Sequence, residues 1–262
     1  MHSLGLSRTY AGDEPYEPFL ITDEERLRHI WCCGKSGMGK STFLENQAIR
    51  SMLDGEGLVF IDPHGASVEN IKVRVPPERR KDVHWFAPHA QRDFPQGFNP
   101  LYCTDPAERA DIAARALECL YALFHDSWGP QLEMICGNAL LAVLCVPDGT
   151  LMSVKFMITS QSYRERVLTH VGDLFLKQYW QGDFLDMPDK EQRERVLSTL
   201  NKVTKFLSDP MLRSIIAQPV TSFSFEEIIA TRRFSLPTCP ALVCGAVRFL
   251  EAFSLAHSIQ RH

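Results

Sequence analysis

WCCGKSGMGKST, residues 31 to 42, decides how the rest of the chain is read. It matches the spacing G-x-x-x-x-G-K-[ST] through Gly34, Gly39, Lys40 and Ser41. Each residue type has a physical reason to be there. Gly34 and Gly39 permit backbone angles and approaches that a Cβ forbids, so successive N–H groups can turn toward a phosphate. Lys40 adds a point charge for β- and γ-phosphates, and the Ser41 hydroxyl is a ligand for Mg²⁺. A helix beginning near Lys40 adds its positive dipole end. The candidate nucleotide-binding residues are Gly34, Lys35, Ser36, Gly37, Met38, Gly39, Lys40, Ser41 and Thr42, with Lys40 also a candidate catalytic group. The flanks agree: RHIWCC (28–33) predicts a buried strand, and KSTFLENQAIRSMLDG (40–55) a helix with apolar residues at helical spacing and a glycine stop. The bland alternative is a glycine turn that merely joins strand to helix. By chance the pattern arises in a chain this long about one time in a hundred, so the phosphate loop is preferred.

Composition bounds the remaining possibilities. With 262 residues, 45% of them hydrophobic, the chain can bury a large core in one big domain or two small ones. A net charge of −4 leaves no global basic footprint, so any nucleic-acid contact must be a local patch. The apolar run ALLAVLCV (139–146) is too short to span a bilayer, and the N-terminus has no apolar signal-peptide region. The eight cysteines include no C-x-x-C. Cys32, Cys33, Cys119, Cys136 and Cys145 sit in apolar runs and read as buried, reduced thiols of a cytoplasmic protein. His64, His84 and His89 lack paired ligand spacing, which disfavours a metal site.

Downstream, GEGLVFIDPHGASVENI (55–71) predicts a buried parallel strand ending in Asp62 and a Pro-His-Gly turn. An aspartate at the carboxyl end of such a strand lies on the ligand-binding edge of an open α/β sheet, within reach of Mg²⁺ through water. Asp62 thus joins Lys40 as a candidate catalytic group; the same residue type also caps turns, and the residues alone leave its two roles even. VPPERRKDVHWFAP (75–88) predicts a basic turn and a short strand from Val83 to Phe86; Arg79, Arg80 and Lys81 read as solvated.

From residue 104 the pattern turns helical. Asp105 is placed as N-cap before Pro106, and Ile112, Ala116, Leu117, Leu120 and Phe124 form one apolar stripe. Further helices are predicted over 130–146, from a cap at Ser160 or Ser162, over 189–209, and in DPMLRSIIAQ. Trp128, Trp180 and Phe184 are candidates for base stacking, against the commoner role of core aromatics.

HIWCCGKSGMGKSTFLEN, GLVFIDPHG and FNPL together resemble the HerA/FtsK-type ATPases, and within them the TraG/TraD-like conjugative coupling proteins. WGPQLEMI and NKVTKFLSDPMLRSIIAQ fit the same family, and the resemblance spans about residues 15 to 235. The combination of the glycine loop with Asp62-Pro63-His64-Gly65 and Asn99-Pro100-Leu101 is much narrower than the loop alone. The resemblance implies an α/β P-loop NTPase with a partial parallel sheet and a large all-α insertion. It divides the chain into a nucleotide-binding core (1–103), a helical insertion (104–215) and an atypical return segment (216–262). It further implies ATP and Mg²⁺ as cofactors, DNA as the translocated partner, a hexameric ring, relaxosome or secretion-system contacts through the helical insertion, and a cytoplasmic place that includes the inner-membrane periphery.

Three departures stand out. The family's membrane-spanning segment is missing, and no hydrophobic run after residue 62 ends in Asp-Glu or Asp-Asp to hold Mg²⁺. Up to SFEEIIATRRF (224–234) the tail follows the family, where a buried strand comes next; here Pro237 and Pro240 argue against a central strand. The expectation is a motor core cut short, which binds nucleotide better than it turns it over. A nucleotide-binding module that no longer hydrolyses is the alternative. A P-loop phosphotransferase is a weaker one, since the helical insertion lacks an arginine-rich lid.

Overall fold

The structure, a computed structural model, describes residues 2–7, 17–26, 28, 30–88 and 90–237; His89, Pro240 and the run Ala241 to Leu255 lie outside them. An antiparallel hairpin opens the chain, β1 (His2–Ser7) against β2 (Glu17–Ile21), with a register shift between Ser3 and Gly5. The sequence did not announce it, because Phe19, Leu20 and Ile21 run consecutively without the alternation of a half-buried strand. A single turn of helix, α1 (Asp23–Arg26), follows, and then α2 (Lys40–Leu53), β3 (Leu58–Val59), α3 (Ala66–Arg74), a 3₁₀ turn (Pro77–Asp82) and β4 (Val83–Phe86).

From Pro106 to Ile216 every regular element is helical. The run comprises α4 (Arg109–Phe124), α5 (Pro130–Val143), α6 (Leu151–Thr159), α7 (Gln161–Leu168), α8 (Leu174–Gln178), α9 (Asp189–Leu207) and α10 (Pro210–Ile216). Side chains placed at the helix starts satisfy otherwise orphaned N–H groups: Asp105 accepts from Ala107, Ser160 from Tyr163, Asp173 from Phe175 and Asp209 from Met211. A π turn over Tyr179–Asp183 extends α8. The chain then returns through α11 (Phe225–Ala230) into β5 (Phe234–Pro237).

The parallel sheet has the order β3–β5–β4. This corrects two expectations. The segment predicted as a strand over 28–33 is not one: residues 30 to 35 carry no strand assignment, Trp31 is 90% exposed, and Cys32 and Cys33 face solvent. Apolar character makes a strand only where a neighbouring ladder takes its N–H and C=O groups. Among the described residues none pairs there: β3 is an edge strand, and its one partner among them is β5.

The second correction is that Pro237 does not exclude a central strand. Facing β3, the strand β5 is needed mainly as an acceptor: Arg233, Ser235 and Pro237 carbonyls take the N–H groups of Leu58, Phe60 and Asp62 at 3.1, 2.9 and 3.2 Å. Pro237 keeps its carbonyl, and its missing N–H falls on the strand's last residue. Burial of Phe234 and Leu236 adds roughly 1.5–3 kcal/mol each, more than one lost hydrogen bond.

Alternation along the strands separates two cores. Phe234 and Leu236, with Leu58, Phe60, Val83 and Trp85 at the margin, pack with Ala48, Met52, Val68 and Ile71 of α2 and α3. Phe86, Val59 and Ile61 turn to the other face, where a larger core runs through α4 to α11. Trp180 and Phe184, candidates for base stacking, lie inside that core, tilted against each other with ring centroids 4.8 Å apart and under the Arg164 guanidinium. They are core residues. Trp128 is half-buried, edge-on to Tyr121. Of the cysteines, Cys119 and Cys136 are buried, and burial pushes the Cys119 thiol up to about 11.

His84 shares the larger core's face of β4, its ring tilted against Phe223 with centroids 4.5 Å apart. Burial lowers its pKa from 6.5, only partly offset by the Gln96 side chain. A depressed folded pKa means the unfolded chain takes up the proton first. The stability tied to neutral His84 is thus complete above pH 6.5 and lost as pH falls from there toward the folded value. Chemical unfolding from pH 7 to 5 should show this slope reduced in His84→Phe; equal slopes in both proteins would dismiss it.

Candidate functional site

Gly34 to Gly39 form an exposed loop that enters α2 directly. Gly37 and Gly39 have φ of 80° and 82°, the left-handed region where a side chain is strained, so the loop needs glycine there. Lys40 folds back over the loop: its Nζ donates to the carbonyls of Gly34 at 2.8 Å and Lys35 at 2.9 Å. Met38, Ser41 and Thr42 are exposed on the same turn. In contrast to α7, α8 and α10, the start of α2 has no side-chain cap, and its first turn holds no acidic residue. The leading N–H groups of α2 and its positive dipole end therefore face outward unneutralised. Such an end suits an anion.

Asp62 is buried, and its carboxylate is already engaged. Oδ1 accepts from the His64 N–H at 2.9 Å, and Oδ2 from Ser67 and Val68 at 2.7 and 3.3 Å. It caps the turn into α3, and Gly65 supplies the positive φ of 81° that starts that helix. Of the two roles the sequence left even, capping has its hydrogen bonds in place. His64 is exposed and His84 is half-buried against the larger core; among the described residues no group of three or more His, Cys, Asp or Glu side chains is placed to hold a metal ion.

Asn99 carries more than its motif suggested. Buried, it donates from Nδ2 to the carbonyls of Gly149 at 2.8 Å and Pro219 at 3.0 Å, while Oδ1 accepts from Leu101 at 3.0 Å. Its backbone N–H goes to the Thr221 hydroxyl. One side chain thus joins the exit from the sheet, the loop before α6 and the return segment. Nothing in local sequence signals this, because Gly149 and Pro219 are distant along the chain. A separate open cleft of about 440 Å³, lined by Pro88, Arg92, Pro95 and Met211 among others, includes none of the glycine-loop residues.

No helix among the described residues is long and apolar enough to cross a membrane. No protein-family model matches the sequence, and no curated protein matches it either. Solved structures do. The bacterial conjugative coupling protein TrwBdeltaN70, in its unbound monoclinic form, superposes with a TM-score of 0.50 at 15% identity, over 84% of this chain and 47% of its own. The plasmid coupling protein TrwB in complex with the non-hydrolysable ATP analogue ADPNP matches with a TM-score of 0.50 at 14% identity, over 92% of this chain and 61% of its own. The chain thus spans about half to three-fifths of the length of the structures it matches. Identity this low speaks to fold: the chain is an α/β protein with a P-loop NTPase-like fold, a parallel sheet joined to a helical subdomain.

Proposed function

We propose that the chain binds ATP, with Mg²⁺, at the start of α2, as the nucleotide-binding part of a TraG/TraD-like coupling ATPase. The observation that carries the reading is the uncapped N-terminus of α2 preceded by a positive-φ glycine loop, with Lys40 poised over it. Residues 36 to 42 would cradle the phosphates with backbone N–H groups, Lys40 would neutralise them, and Ser41 would hold Mg²⁺. Asp62 enters only as an outer group reaching Mg²⁺ through water, since its oxygens already carry three N–H bonds. The neighbour solved with an ATP analogue supports a nucleotide as the ligand. In the same proposal residues 1–103 are the nucleotide-binding core, 104–215 the helical insertion and 216–262 the return segment. DNA is the translocated partner, the assembly is a hexameric ring in contact with relaxosome or secretion-system proteins, and the place is the cytoplasm at the inner membrane's periphery.

Titration with a fluorescent ATP analogue tests the binding. Saturable binding, enhanced by Mg²⁺ and competed by ATP and ADP, is expected; no competition by millimolar ATP refutes it. Ser41→Ala should lose the Mg²⁺ enhancement and keep the Mg²⁺-free affinity, because only the hydroxyl ligand is removed.

A second reading, a nucleotide-binding module with little hydrolysis of its own, is favoured by the occupied carboxylate of Asp62. Groups that position water and offset charge are worth orders of magnitude in phosphoryl transfer. Steady-state turnover below about 1 s⁻¹, with or without DNA, is expected of this chain. Faster, DNA-stimulated turnover that Lys40→Ala abolishes would overturn the second reading in favour of a motor.

A further inference from the structure

Three helices end at one edge of the parallel sheet. α2 feeds β3, α3 feeds β4 through the 3₁₀ turn, and α11 feeds β5, so their last turns gather beside the strand starts. The glycine loop is at the opposite edge, because α2, with 14 residues, spans about 21 Å between them.

At this edge the register Val83↔Phe234 sets Lys81 and Asp82 beside Arg232 and Arg233, two stretches that sequence alone keeps apart. Arg79 fastens them. Its guanidinium donates to the Arg232 carbonyl at 2.8 Å, lies 3.3 Å from the Asp82 carboxylate and stacks over Phe234 at 4.7 Å. The helix-end cations are paired: Arg50 with Asp54, Lys72 with Glu69, Arg74 with Glu45. Arg80, Lys81, Arg232 and Arg233 are exposed and have no ion pair among the described residues. Against them stand the exposed carboxylates of Glu78, of Glu227 on α11, and of Glu24 and Glu25 on α1, which Arg26 ties to Ser51 and Glu56 at the end of α2. Arg232 has a φ of 55°, a conformation at which glycine would be at ease and a side chain is strained.

Large apolar side chains stand out at the same helix ends: Leu53 is 62% exposed, Val73 79% and Ile229 42%. A nucleic-acid backbone would be held by the four cations and would gain nothing from Leu53 or Val73. A bilayer interface takes both, anionic headgroups on the cations and the acyl boundary on the apolar tips. We propose that this edge docks on an anionic lipid surface. The proposal names a surface for the proposed place at the inner membrane's periphery, and it does not rest on the nucleotide reading.

Flotation of the 262-residue chain with vesicles tests it. With phosphatidylcholine containing about one-third phosphatidylglycerol, at about 0.1 M salt, the protein should rise with the lipid; it should stay behind with phosphatidylcholine alone, and added salt should release it. Each cation near an anionic surface contributes about fivefold. Replacing Arg80, Lys81, Arg232 and Arg233 together by Gln should therefore lower partitioning at least a hundredfold, with thermal unfolding unchanged. Arg232→Gly, which relieves the strained φ, keeps the test open if the fourfold variant fails to fold; its expected loss is about fivefold. Val73→Asn should weaken binding severalfold with every cation in place. Unchanged partitioning of Arg232→Gly and the fourfold variant overturns the proposal. So does an unaffected Val73→Asn protein combined with cation variants that lose a DNA duplex instead, which would mark a nucleic-acid surface.

Discussion

Asn99→Leu is expected to lower the stability of the fold by about 3–4 kcal/mol, although it leaves the glycine loop untouched. The replacement is apolar and similar in size, so little volume is lost. What is lost are three hydrogen bonds in a buried place, and the carbonyls of Gly149 and Pro219 and the N–H of Leu101 remain with no side-chain partner. Each unsatisfied buried group costs about 1–3 kcal/mol, with relaxation and entering water recovering part of the sum. Against a typical total of roughly 5–15 kcal/mol this is a large fraction. Urea unfolding should show a lower midpoint. Thr221→Val, at the same junction but removing only hydroxyl contacts to the Asn99 backbone, should stay within about 1 kcal/mol of the parent. If Asn99→Leu also stays within 1 kcal/mol, the junction is held by apolar packing and the Asn99 bonds are incidental.

Lys40→Ala is expected to weaken ATP binding at least tenfold, about 1.4 kcal/mol or more. Two effects act in the same direction. The ammonium charge that would meet the phosphates disappears, and charge-assisted bonds are about twice as strong as neutral ones. The loop also loses its brace, since the Lys40 ammonium ties α2 back to the Gly34 and Lys35 carbonyls. A looser loop must be ordered when the ligand binds, at a cost in affinity. Lys40→Arg should not restore binding, because a planar fork does not replace a compact ammonium over two carbonyls. Unfolding of the nucleotide-free variant should match the parent within about 0.5 kcal/mol, as expected of an exposed site, so that a binding defect is not a folding defect. Equal affinities of Lys40→Ala and parent would remove the glycine loop from the proposed site.

What the sequence determined by itself is local. The spacing of Gly34, Gly39, Lys40 and Ser41 fixed the turn into α2, because left-handed angles at Gly37 and Gly39 and an uncapped helix start depend on a few adjacent residues. The same holds for the helices capped by Asp105, Ser160 and Asp209, whose stripes and caps repeat every turn and need no distant partner. Asp62 was legible as a site of interest, and of its two candidate roles the capping one rests on hydrogen bonds to residues two to six positions away. Tertiary structure decided the sheet. Whether an apolar run becomes a strand depends on which ladder stands beside it, so WCC at 31–33 is exposed while Phe234 to Pro237, proline included, is central. It also decided the junction at Asn99 and the basic edge at Arg80 and Arg232, each made by groups more than a hundred residues apart. Periodicity reports the face of an element; only the packed chain selects its neighbour.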